Sequence, residues 1–272
     1  MQGTGNDYVY IDCFDRDVEN PPALSRQISD RHFGIGSDGL ILLRRSNVAD
    51  VKMSMYNADG SEGKMCGNGI RCVGKLAYEL GLARGTAVTV ETLSGIRQLK
   101  LNIRGGKVES VRVNMGAPAL ESEKIPVKFD APRVVNASVP IAGGFRITCV
   151  SMGNPHAVTF VDDVDALDLE KLGPQFETHP MFPERVNTEF VQALDAAHLK
   201  MRVWERGSGE TFACGTGACA AAVAACLNGV SPRGEDLTLQ LRGGDLIIRW
   251  ENDTVWMTGP AKLVFTGEIE LE

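Results

Sequence analysis

Cys66-Gly67-Asn68-Gly69 and Cys214-Gly215-Thr216-Gly217 are the stretches that decide the fold, because each runs directly into a segment with helical character. A thiol at a helix N-terminus lies among backbone N–H groups without helical partners, and the helix dipole there favours a thiolate. Two such thiols in one chain indicate a site with a proton donor on one side and a proton acceptor on the other.

The repeated turn belongs to a longer internal duplication. Sliding the sequence against itself by the Cys66-to-Cys214 separation superposes further identical pairs: Gly5 on Gly153, Asn6 on Asn154, Leu24 on Leu172, Gln27 on Gln175, Lys52-Met53 on Lys200-Met201, Glu62 on Glu210 and Gly81 on Gly229. A repeat this long is outside the solenoid range and predicts two similar domains. The alternative is coincidence among glycines, which the matched helix-ending glycines disfavour.

The 272-residue length also favours about two domains. We predict an N-terminal domain of residues 1–115, with a final strand added by residues 261–272, and a C-terminal domain of residues 116–260. The fold class is α+β with two pseudo-symmetric domains. In each domain a mixed, mostly antiparallel curved sheet wraps around a central helix, and we expect the active site in the cleft between the domains.

The helices after the two cysteines are the predicted centres of these domains. Residues 218–227 have almost no polar face, and a helix that is apolar all round is a buried one. The segment after Cys66 carries its apolar residues on one helical face. An earlier helix is predicted over residues 23–33. The N-terminus of a buried helix would point into the cleft, where an anionic group is favoured.

Composition excludes several classes of protein. A net charge of −7 and a pI near 5.3 argue against a nucleic-acid-binding protein. No apolar segment approaches the roughly 20 residues that a membrane span needs. The start, Met1-Gln2-Gly3-Thr4, lacks the charged and apolar regions of a signal peptide, so we expect a cytoplasmic protein.

The seven cysteines are an odd number without a disulfide-rich spacing, so we expect most of them to be reduced. The separation of Cys66 from Cys72 fits no common zinc pattern, and we predict no metal site. Cysteine is often a small buried apolar residue. We expect that role for the five other cysteines, Cys13, Cys72, Cys149, Cys219 and Cys226.

Six strings in this chain resemble one enzyme family: Gly-Asn-Asp-Tyr (5–8), Tyr-Asn-Ala-Asp-Gly-Ser (56–61), Cys-Gly-Asn-Gly-Ile-Arg-Cys (66–72), Gly-Asn-Pro-His (153–156), Trp-Glu-Arg-Gly-Ser-Gly-Glu-Thr (204–211) and Ala-Cys-Gly-Thr-Gly-Ala-Cys-Ala (213–220). The family is diaminopimelate epimerase, and the resemblance spans essentially the whole chain. Cys-Gly-x-Gly alone is shared with proline racemases and related isomerases. Glu205-Arg206-Gly207, with Gly-Asn-Pro-His upstream, selects this member.

The resemblance implies an isomerase that works without pyridoxal phosphate or any other cofactor. It implies epimerisation of LL-2,6-diaminopimelate to the meso form, for lysine and peptidoglycan biosynthesis. We expect a small-molecule amino-acid substrate and a homodimer. One alternative is a racemase or epimerase of proline, hydroxyproline or histidine, with the same thiol pair and a different distal pocket. Another is a thiol-redox or catalytically silent binding protein.

The resemblance also implies site residues. Cys66 and Cys214 resemble the two acid–base thiols, and His156 and Glu205 resemble the groups that assist their deprotonation. The remaining expected contacts hold the substrate's amino and carboxylate groups, and they are Asn6, Asn57, Asn154, Asn187 and Arg206 through side chains and Gly67, Asn68, Gly215 and Thr216 through backbone N–H groups. Arg206 suits the distal carboxylate because a guanidinium binds a carboxylate bidentately.

Some of these residues have plainer interpretations. His156 could be a hydrogen-bonded core histidine, and Asn57 and Asn187 could only cap turns. The carboxylates of Asp38, Asp59 and Glu62 could be mistaken for acid–base groups, and we expect them to be solvated in loops.

Overall fold

Each cysteine-initiated helix belongs to a different folding unit in the computed structural model, which describes residues 1–270. Unit 1 consists of Met1–Val113 together with the chain from Gly259 onward, and unit 2 consists of Asn114–Thr258.

Unit 1 is a mixed sheet with two helices. Its elements are β1 (Gln2–Gly3), β2 (Asn6–Asp7), β3 (Val9–Asp12), α1 (Pro21–Ser29), β4 (Gly39–Arg44), β5 (Val51–Asn57), β6 (Glu62–Gly63), α2 (Gly67–Glu79), β7 (Ala87–Thr92), β8 (Gly95–Arg104) and β9 (Lys107–Gly116). The sheet order is β3-β4-β5-β7-β8-β9, with β6 paired to β5. The β3–β4 and β5–β7 pairs are parallel, and the other pairs in this sheet are antiparallel.

Unit 2 repeats this arrangement. Its elements are β10 (Ala137–Val139), β11 (Phe145–Ser151), β12 (Pro155–Phe160), α3 (Leu169–Glu177), β13 (Asn187–Ala193), β14 (His198–Glu205), β15 (Gly209–Thr211), α4 (Gly215–Leu227), β16 (Leu237–Leu241), β17 (Gly244–Glu251) and β18 (Thr254–Pro260). The sheet order is β10-β11-β12-β13-β14-β16-β17-β18, with β15 paired to β14. Here β12–β13 and β14–β16 are the parallel pairs.

Strand register shows the internal duplication directly. In unit 1 Leu40 lies opposite Tyr56, and in unit 2 Thr188 lies opposite Trp204, at the same sequence offset that relates Cys66 to Cys214. The pairs β3–β4 and β12–β13 also correspond residue for residue. Since a one-residue slip would turn every side chain to the other face, this agreement requires the same buried face in both units. The prediction of a pseudo-symmetric α+β fold is confirmed.

Helix α4 is buried because nearly all of its side chains are small and apolar. Residues 217–225 are all buried, and the helix packs against β11, β12, β13, β16 and β17. Alanine adds little bulk beyond the backbone, so the sheet can approach the helix from several sides. Helix α2 packs against β4, β5, β7 and β8. The predicted central helix is therefore present in both units.

Aromatic packing positions the strands of unit 2. Phe145, Phe176 and Phe190 meet edge to face, with ring centroids 5.3 to 6.4 Å apart. Trp204 packs beside them and covers Gly173 of α3, where an added Cβ would lie 2.1 Å from the indole. Trp204 also donates from Nε1 to Glu177 at 2.7 Å. These contacts fix the end of β14, from which Glu205 projects.

Two local predictions differ from the structure. The helix predicted over residues 23–33 ends at Ser29, because Asp30 is extended and its carboxylate accepts hydrogen bonds from the N–H groups of His32 and Phe33. The strand predicted for residues 261–272 does not form within residues 261–270, where Lys262 makes an isolated bridge to Gln2. Residues 263–270 are exposed and form no strand, while residues 271–272 lie outside the described part.

No helix within residues 1–270 has the length and apolar character that a membrane crossing requires.

We predict that Gly173→Ala destabilises unit 2, because the new Cβ would overlap the Trp204 ring. Overpacking of this kind costs typically about 1–3 kcal/mol in the free energy of unfolding. Urea denaturation followed by tryptophan fluorescence measures it. The control is Gln175→Ala on the exposed side of the same helix, which should change stability by less than about 0.5 kcal/mol. Equal stabilities for the two variants would contradict the packing.

Candidate active site

The thiol of Cys66 caps the N-terminus of α2. Its backbone is extended, with φ −125° and ψ 119°, and Sγ accepts a hydrogen bond from the N–H of Gly69 at 3.3 Å. The Cys66 carbonyl accepts the first helical hydrogen bond, from Ile70, at 2.9 Å. The sulfur therefore lies at the positive end of the helix dipole, which favours the thiolate form.

Asn6 lies beside this thiol. Cys66 Sγ donates to Asn6 Oδ1 at 3.2 Å, and Asn6 Nδ2 donates to Asp38 Oδ2 at 2.7 Å. Asp38 also accepts from the N–H of Asp7 and from Arg31. Burial and the neighbouring Asp7 raise the pKa of Asp38. Asp38 lies in the loop before β4 with its side chain partly exposed, as expected, and it also anchors the amide that faces Cys66.

A buried arginine holds the first turn of α2. The guanidinium of Arg71, which is fully buried, donates to the carbonyl of Gly67 at 3.1 Å and to Asn68 Oδ1 at 2.9 Å. It also donates to Thr4 Oγ1 and to the carbonyl of Pro260, both at 3.1 Å. The Asn68 side chain thus stabilises the turn. The substrate contact predicted for Gly67 and Asn68 uses their backbone N–H groups, and it stays a prediction.

Asn57 closes a turn at the end of β5. Its Nδ2 donates to Ser61 Oγ at 2.9 Å, and its backbone N–H donates to the Ser61 carbonyl at 2.8 Å. The turn-capping interpretation therefore describes this side chain, and its substrate contact stays a prediction. Asp59, which accepts from Ser61, is exposed in the turn as expected, and Glu62 is exposed as expected but lies in β6 rather than in a loop.

Cys214 repeats the Cys66 geometry at the start of α4. Its φ is −111° and ψ 110°, and Sγ accepts from the N–H of Gly217 at 3.4 Å. Thr216 Oγ1 lies 3.5 Å from the sulfur. Unlike Cys66, which is half-buried, Cys214 is buried.

Glu205, the last residue of β14, forms hydrogen bonds with Cys214 and with Thr211 Oγ1. Burial raises the pKa of the Glu205 carboxyl, and these two hydrogen bonds oppose the rise. Burial likewise raises the pKa of Cys214 well above its usual value, with further contributions from the carboxylates of Glu205 and Glu189. The thiol of Cys214 is therefore protonated at neutral pH, beside a carboxylate that can accept its proton.

His156 connects to the same thiol through a chain of side chains. Its Nδ1 lies 2.7 Å from Glu189 Oε1, and its Nε2 lies 3.0 Å from Asn154 Oδ1. Asn154 Nδ2 donates to Thr216 Oγ1 at 3.3 Å, next to Cys214. The interpretation of His156 as a hydrogen-bonded core histidine fits its full burial, yet its partners lead to the thiol.

The side chain of Asn187 contacts the backbone of Arg206, the residue after Glu205. Asn187 Oδ1 accepts from the backbone N–H of Arg206 at 2.8 Å, which holds the turn after Glu205. The Arg206 guanidinium is exposed, and Nη1 donates to the Glu184 carbonyl at 2.8 Å.

The structure thus assembles two groups, one in each unit. Asn6 joins Cys66 and the turn of Gly67 and Asn68 in unit 1. Unit 2 holds Cys214, Gly215, Thr216, Asn154, His156 and Glu205 around its thiol, with Asn187 bonded to the backbone of Arg206 next to Glu205. Asn57 belongs to unit 1, where its side chain is bonded to Ser61. That both groups serve one cleft stays a prediction.

The five cysteines outside the two turns have no assigned chemical role. All seven cysteines are free, and Cys13, Cys72, Cys149 and Cys219 are buried while Cys226 is half-buried. Within residues 1–270 no group of three or more His, Cys, Asp or Glu side chains is arranged to hold a metal ion.

Two buried charged residues beside the predicted site, Glu189 and Arg71, were not predicted from the sequence. The strand that holds Glu189, Asn187–Ala193, also carries Asn, Thr and Gln, so no apolar run in the sequence marks this residue as buried. Arg71 lies on a helix face between apolar neighbours, and a buried charge needs a partner, so that signal was present in the sequence.

The family model and the sequence relatives agree on one family. Residues 1–121 and 148–264 match the family model of diaminopimelate epimerase. The chain belongs to this family. The diaminopimelate epimerase of Acetivibrio thermocellus is 56% identical over 274 residues, covering 100% of this chain and 97% of the relative. That of Methanococcus maripaludis strain C5 is 50% identical over 274 residues, covering 100% and 98%. The family prediction is confirmed.

Solved structures with low sequence identity share the family's fold. A phenazine biosynthesis protein of the PhzF family from Bacillus anthracis has a TM-score of 0.68 at 17% identity, covering 96% of this chain and 92% of its own. A probable proline racemase from Agrobacterium radiobacter K84 has a TM-score of 0.66 at 16% identity, covering 91% and 80%. These likenesses show the two-domain fold alone.

We predict that Cys214 alkylation by iodoacetamide stays slow at pH 7 and rises about tenfold per pH unit up to pH 9, because its raised pKa keeps the thiol protonated there. Glu205→Gln should lower this pKa and speed the reaction at pH 7.5. Peptide mass spectrometry measures the rate. The control is Glu210→Gln, which removes a carboxylate paired with Arg202 and Arg242. A plateau in the Cys214 rate below pH 9 would contradict the assignment.

Proposed function

We propose that this protein is a pyridoxal-phosphate-independent isomerase that epimerises LL-2,6-diaminopimelate to meso-2,6-diaminopimelate, a step of lysine and peptidoglycan biosynthesis. The observation that carries the proposal is that a chain of this family holds two cysteine thiols as N-caps of central helices, in two units of the same topology. Relatives named diaminopimelate epimerase are 50 and 56% identical to it over their near-full length.

The chemistry needs two bases. Inverting a carbon α to a carboxylate requires removal of one proton and delivery of another to the opposite face, which one stationary group cannot do. Cys214 keeps its proton at neutral pH because burial and two carboxylates raise its pKa. When Cys214 starts as the donor, Cys66 must first lose the proton that it donates to Asn6 Oδ1 and start as the thiolate, and the reverse direction exchanges these roles. Glu205, hydrogen-bonded to Cys214, is placed to accept the proton when Cys214 must become the base.

The carbanion intermediate needs stabilisation that the helices can supply. The helix N-termini behind Cys66 and Cys214 present the backbone N–H groups of Gly67, Asn68, Gly215 and Thr216 as candidate donors to the substrate α-carboxylate. Preorganised donors aimed at developing charge are usually the largest electrostatic contribution to catalysis. The proposal requires that both turns grip the same carboxylate.

In this proposal Arg206 and four asparagine side chains select the substrate. Arg206 is exposed, and its guanidinium fork suits the distal carboxylate of diaminopimelate. Asn6, Asn57, Asn154 and Asn187 are assigned to the amino and carboxylate groups of the substrate. Asn154 and Asn187 are held in place by Thr216 and by the Arg206 backbone, which limits their freedom before substrate binds.

We also propose a cytoplasmic homodimer. Seven free cysteines suit a reducing compartment. Exposed apolar side chains such as Phe33, which is 94% exposed, suit burial against a second copy. Sedimentation equilibrium tests the homodimer. We expect twice the monomer mass, and the monomer mass would contradict the proposal.

The thiol roles are tested by solvent deuterium uptake at the substrate α-carbon. Cys66→Ala and Cys214→Ala should each lower epimerisation by at least about 10²-fold, since each removes a general acid–base group. The controls are Cys13→Ala in unit 1 and Cys226→Ala in unit 2, which should stay near the wild-type rate. A binding or redox protein would show no deuterium uptake even before substitution. More than a tenth of wild-type activity in Cys66→Ala or Cys214→Ala would contradict the two-thiol mechanism.

The substrate is tested with a panel of amino acids in deuterated water. We expect diaminopimelate to exchange its α-hydrogen much faster than proline, hydroxyproline or histidine, because these lack a second carboxylate for Arg206. If one of the other three exchanges as fast, the protein is a racemase or epimerase of that amino acid on the same fold, and the substrate assignment is wrong.

A further inference from the structure

Asp38 collects hydrogen-bond donors on both of its side-chain oxygens. Its Oδ2 accepts from Asn6 Nδ2 at 2.7 Å and from the backbone N–H of Asp7 at 3.1 Å, and its Oδ1 accepts from Arg31 Nη2 at 3.2 Å. A carboxylate offers an acceptor at both ends, whereas an asparagine in the same place would turn an NH₂ group toward one of these donors. The donors around position 38 therefore require a carboxylate.

The backbone of Asn6 is fixed before its side chain makes any contact. Strands β1 and β2 are joined by Thr4 and Gly5, whose φ angles of 53° and 84° are both positive, as in the tight two-residue turns of β-hairpins. Thr4 Oγ1 donates to Asn68 Oδ1 at 3.2 Å and accepts from Arg71 at 3.1 Å. The hairpin is thus tied to the first turn of α2, and Asn6 follows it directly.

The freedom left to Asn6 is the rotation of its amide, which in asparagine is broad and roughly two-fold. If Oδ1 faced Asp38, two acceptor oxygens would meet without a hydrogen between them. Nδ2 therefore faces Asp38, and Oδ1 faces Cys66 Sγ at 3.2 Å. The end of the amide next to the thiol is thus an acceptor, and it serves a hydrogen-bond donor.

Unit 2 has no carboxylate at the equivalent position. The internal repeat aligns Asn6 with Asn154 and Asp38 with Val186, which is buried. Asn154 lies between Thr216 Oγ1 at 3.3 Å and His156 Nε2 at 3.0 Å. A hydroxyl and an imidazole nitrogen can each donate or accept, so these partners can also serve the opposite orientation of the amide. A partner that can only accept is found at Asn6 and not at Asn154.

The other predicted side-chain contact of unit 1, Asn57, does not depend on the Asp38 carboxylate. The backbone carbonyl of Asp38 accepts from the N–H of Ala58 at 3.1 Å, and Gly39 pairs with Asn57 between β4 and β5. These are backbone contacts, which a change of the Asp38 side chain leaves in place. A substitution of that side chain therefore reports on Asn6.

We propose that Asp38 is a positioning residue that locks the Asn6 amide with its oxygen toward Cys66. Without the carboxylate the amide is free to turn its NH₂ group toward the sulfur, which already accepts from the N–H of Gly69. The acceptor beside the thiol would then be lost in part of the molecules. The orientation of Asn6 stands on the hydrogen bonds alone, whereas its effect on catalysis rests on the proposed epimerase function.

The first test observes the Asn6 side chain by NMR in protein labelled with ¹⁵N-asparagine. A hydrogen bond to a charged acceptor is short and strong, so one Nδ2 proton of Asn6 should lie downfield of its position in free asparagine. The signal pair is assigned by its loss in Asn6→Ala. We expect Asp38→Asn to abolish the downfield shift. An unshifted pair in the wild-type protein would overturn the proposal, whether or not any variant folds.

The matched control for Asp38→Asn is Asp7→Asn. The two aspartate side chains are 38% and 39% exposed, and each pairs with Arg31, Asp7 at 3.3 Å and Asp38 at 3.2 Å. Each variant thus removes one negative charge beside the same arginine. The difference between them is the bond to the Asn6 amide, which belongs to Asp38. The downfield proton should persist in Asp7→Asn, and its loss there would overturn the proposal.

The second test is kinetic. Asp38→Asn should lower kcat/KM for diaminopimelate about tenfold, as expected for the loss of a hydrogen bond to a charged group, while Asp7→Asn should lower it less than twofold. Equal losses in the two variants would assign the effect to the Arg31 ion pairs and overturn the proposal.

A double-mutant cycle shows whether Asp38 acts through Asn6. In the Asn6→Ala background, Asp38→Asn should change kcat/KM less than twofold further, because the amide that it positions is already gone. A further tenfold loss in that background would mean that Asp38 acts elsewhere, and it would overturn the proposal.

The NMR readout needs no epimerase activity, so the two ideas fail separately. An Asn6 amide that is not bonded to Asp38 would remove the role of Asp38 and leave the epimerase proposal standing. Absence of deuterium uptake from diaminopimelate would remove the epimerase proposal, and the orientation of Asn6 would still be measured.

Discussion

The capping of a central helix by a cysteine thiol is the interaction on which the rest of this structure depends. A helix begins with backbone N–H groups that lack helical partners, and a buried N–H left without one costs about 1–3 kcal/mol. In both units the sulfur accepts from the residue three positions later. The atom assigned to the chemistry therefore also completes the helix. Its position is set by the fold rather than by a mobile loop.

The cap demands a close approach between helix and sheet, and this explains the glycines of the two turns. At Gly69 and Gly217 any Cβ would overlap a side chain from the strand beneath, at 2.7 and 2.6 Å. Only a residue without a side chain lets the first turn rest on that strand. Because the strand pairs share one register, the same approach occurs twice. The geometry of each thiol is thus inherited from a duplicated packing arrangement.

The two units share one topology, but the charged residues near their thiols differ. Unit 1 places the buried cation Arg71 under the Cys66 turn, where the repeat puts Cys219 in unit 2. Unit 2 places Glu189 where unit 1 has Ile41, and Glu205 where unit 1 has Asn57. Burying a charged group costs free energy, so these groups are better explained by what they hold in place at the two turns. A reaction that needs one donor and one acceptor requires such a difference between otherwise similar halves.

Much of this protein was determined by its sequence alone. The Cys-Gly-x-Gly turns, the all-apolar helix over 218–227 and the internal offset predicted two similar units with central helices, because caps and periodicity act between residues near in the chain. Only the tertiary structure decided the partners of the site. His156 and Glu189 are brought together by the parallel pairing of β12 with β13, and Asn6 meets Asp38 across a loop. Local patterns carry no information on which strands pair or on which distant side chain shares a buried space, and the energy of a buried charge depends on that neighbour.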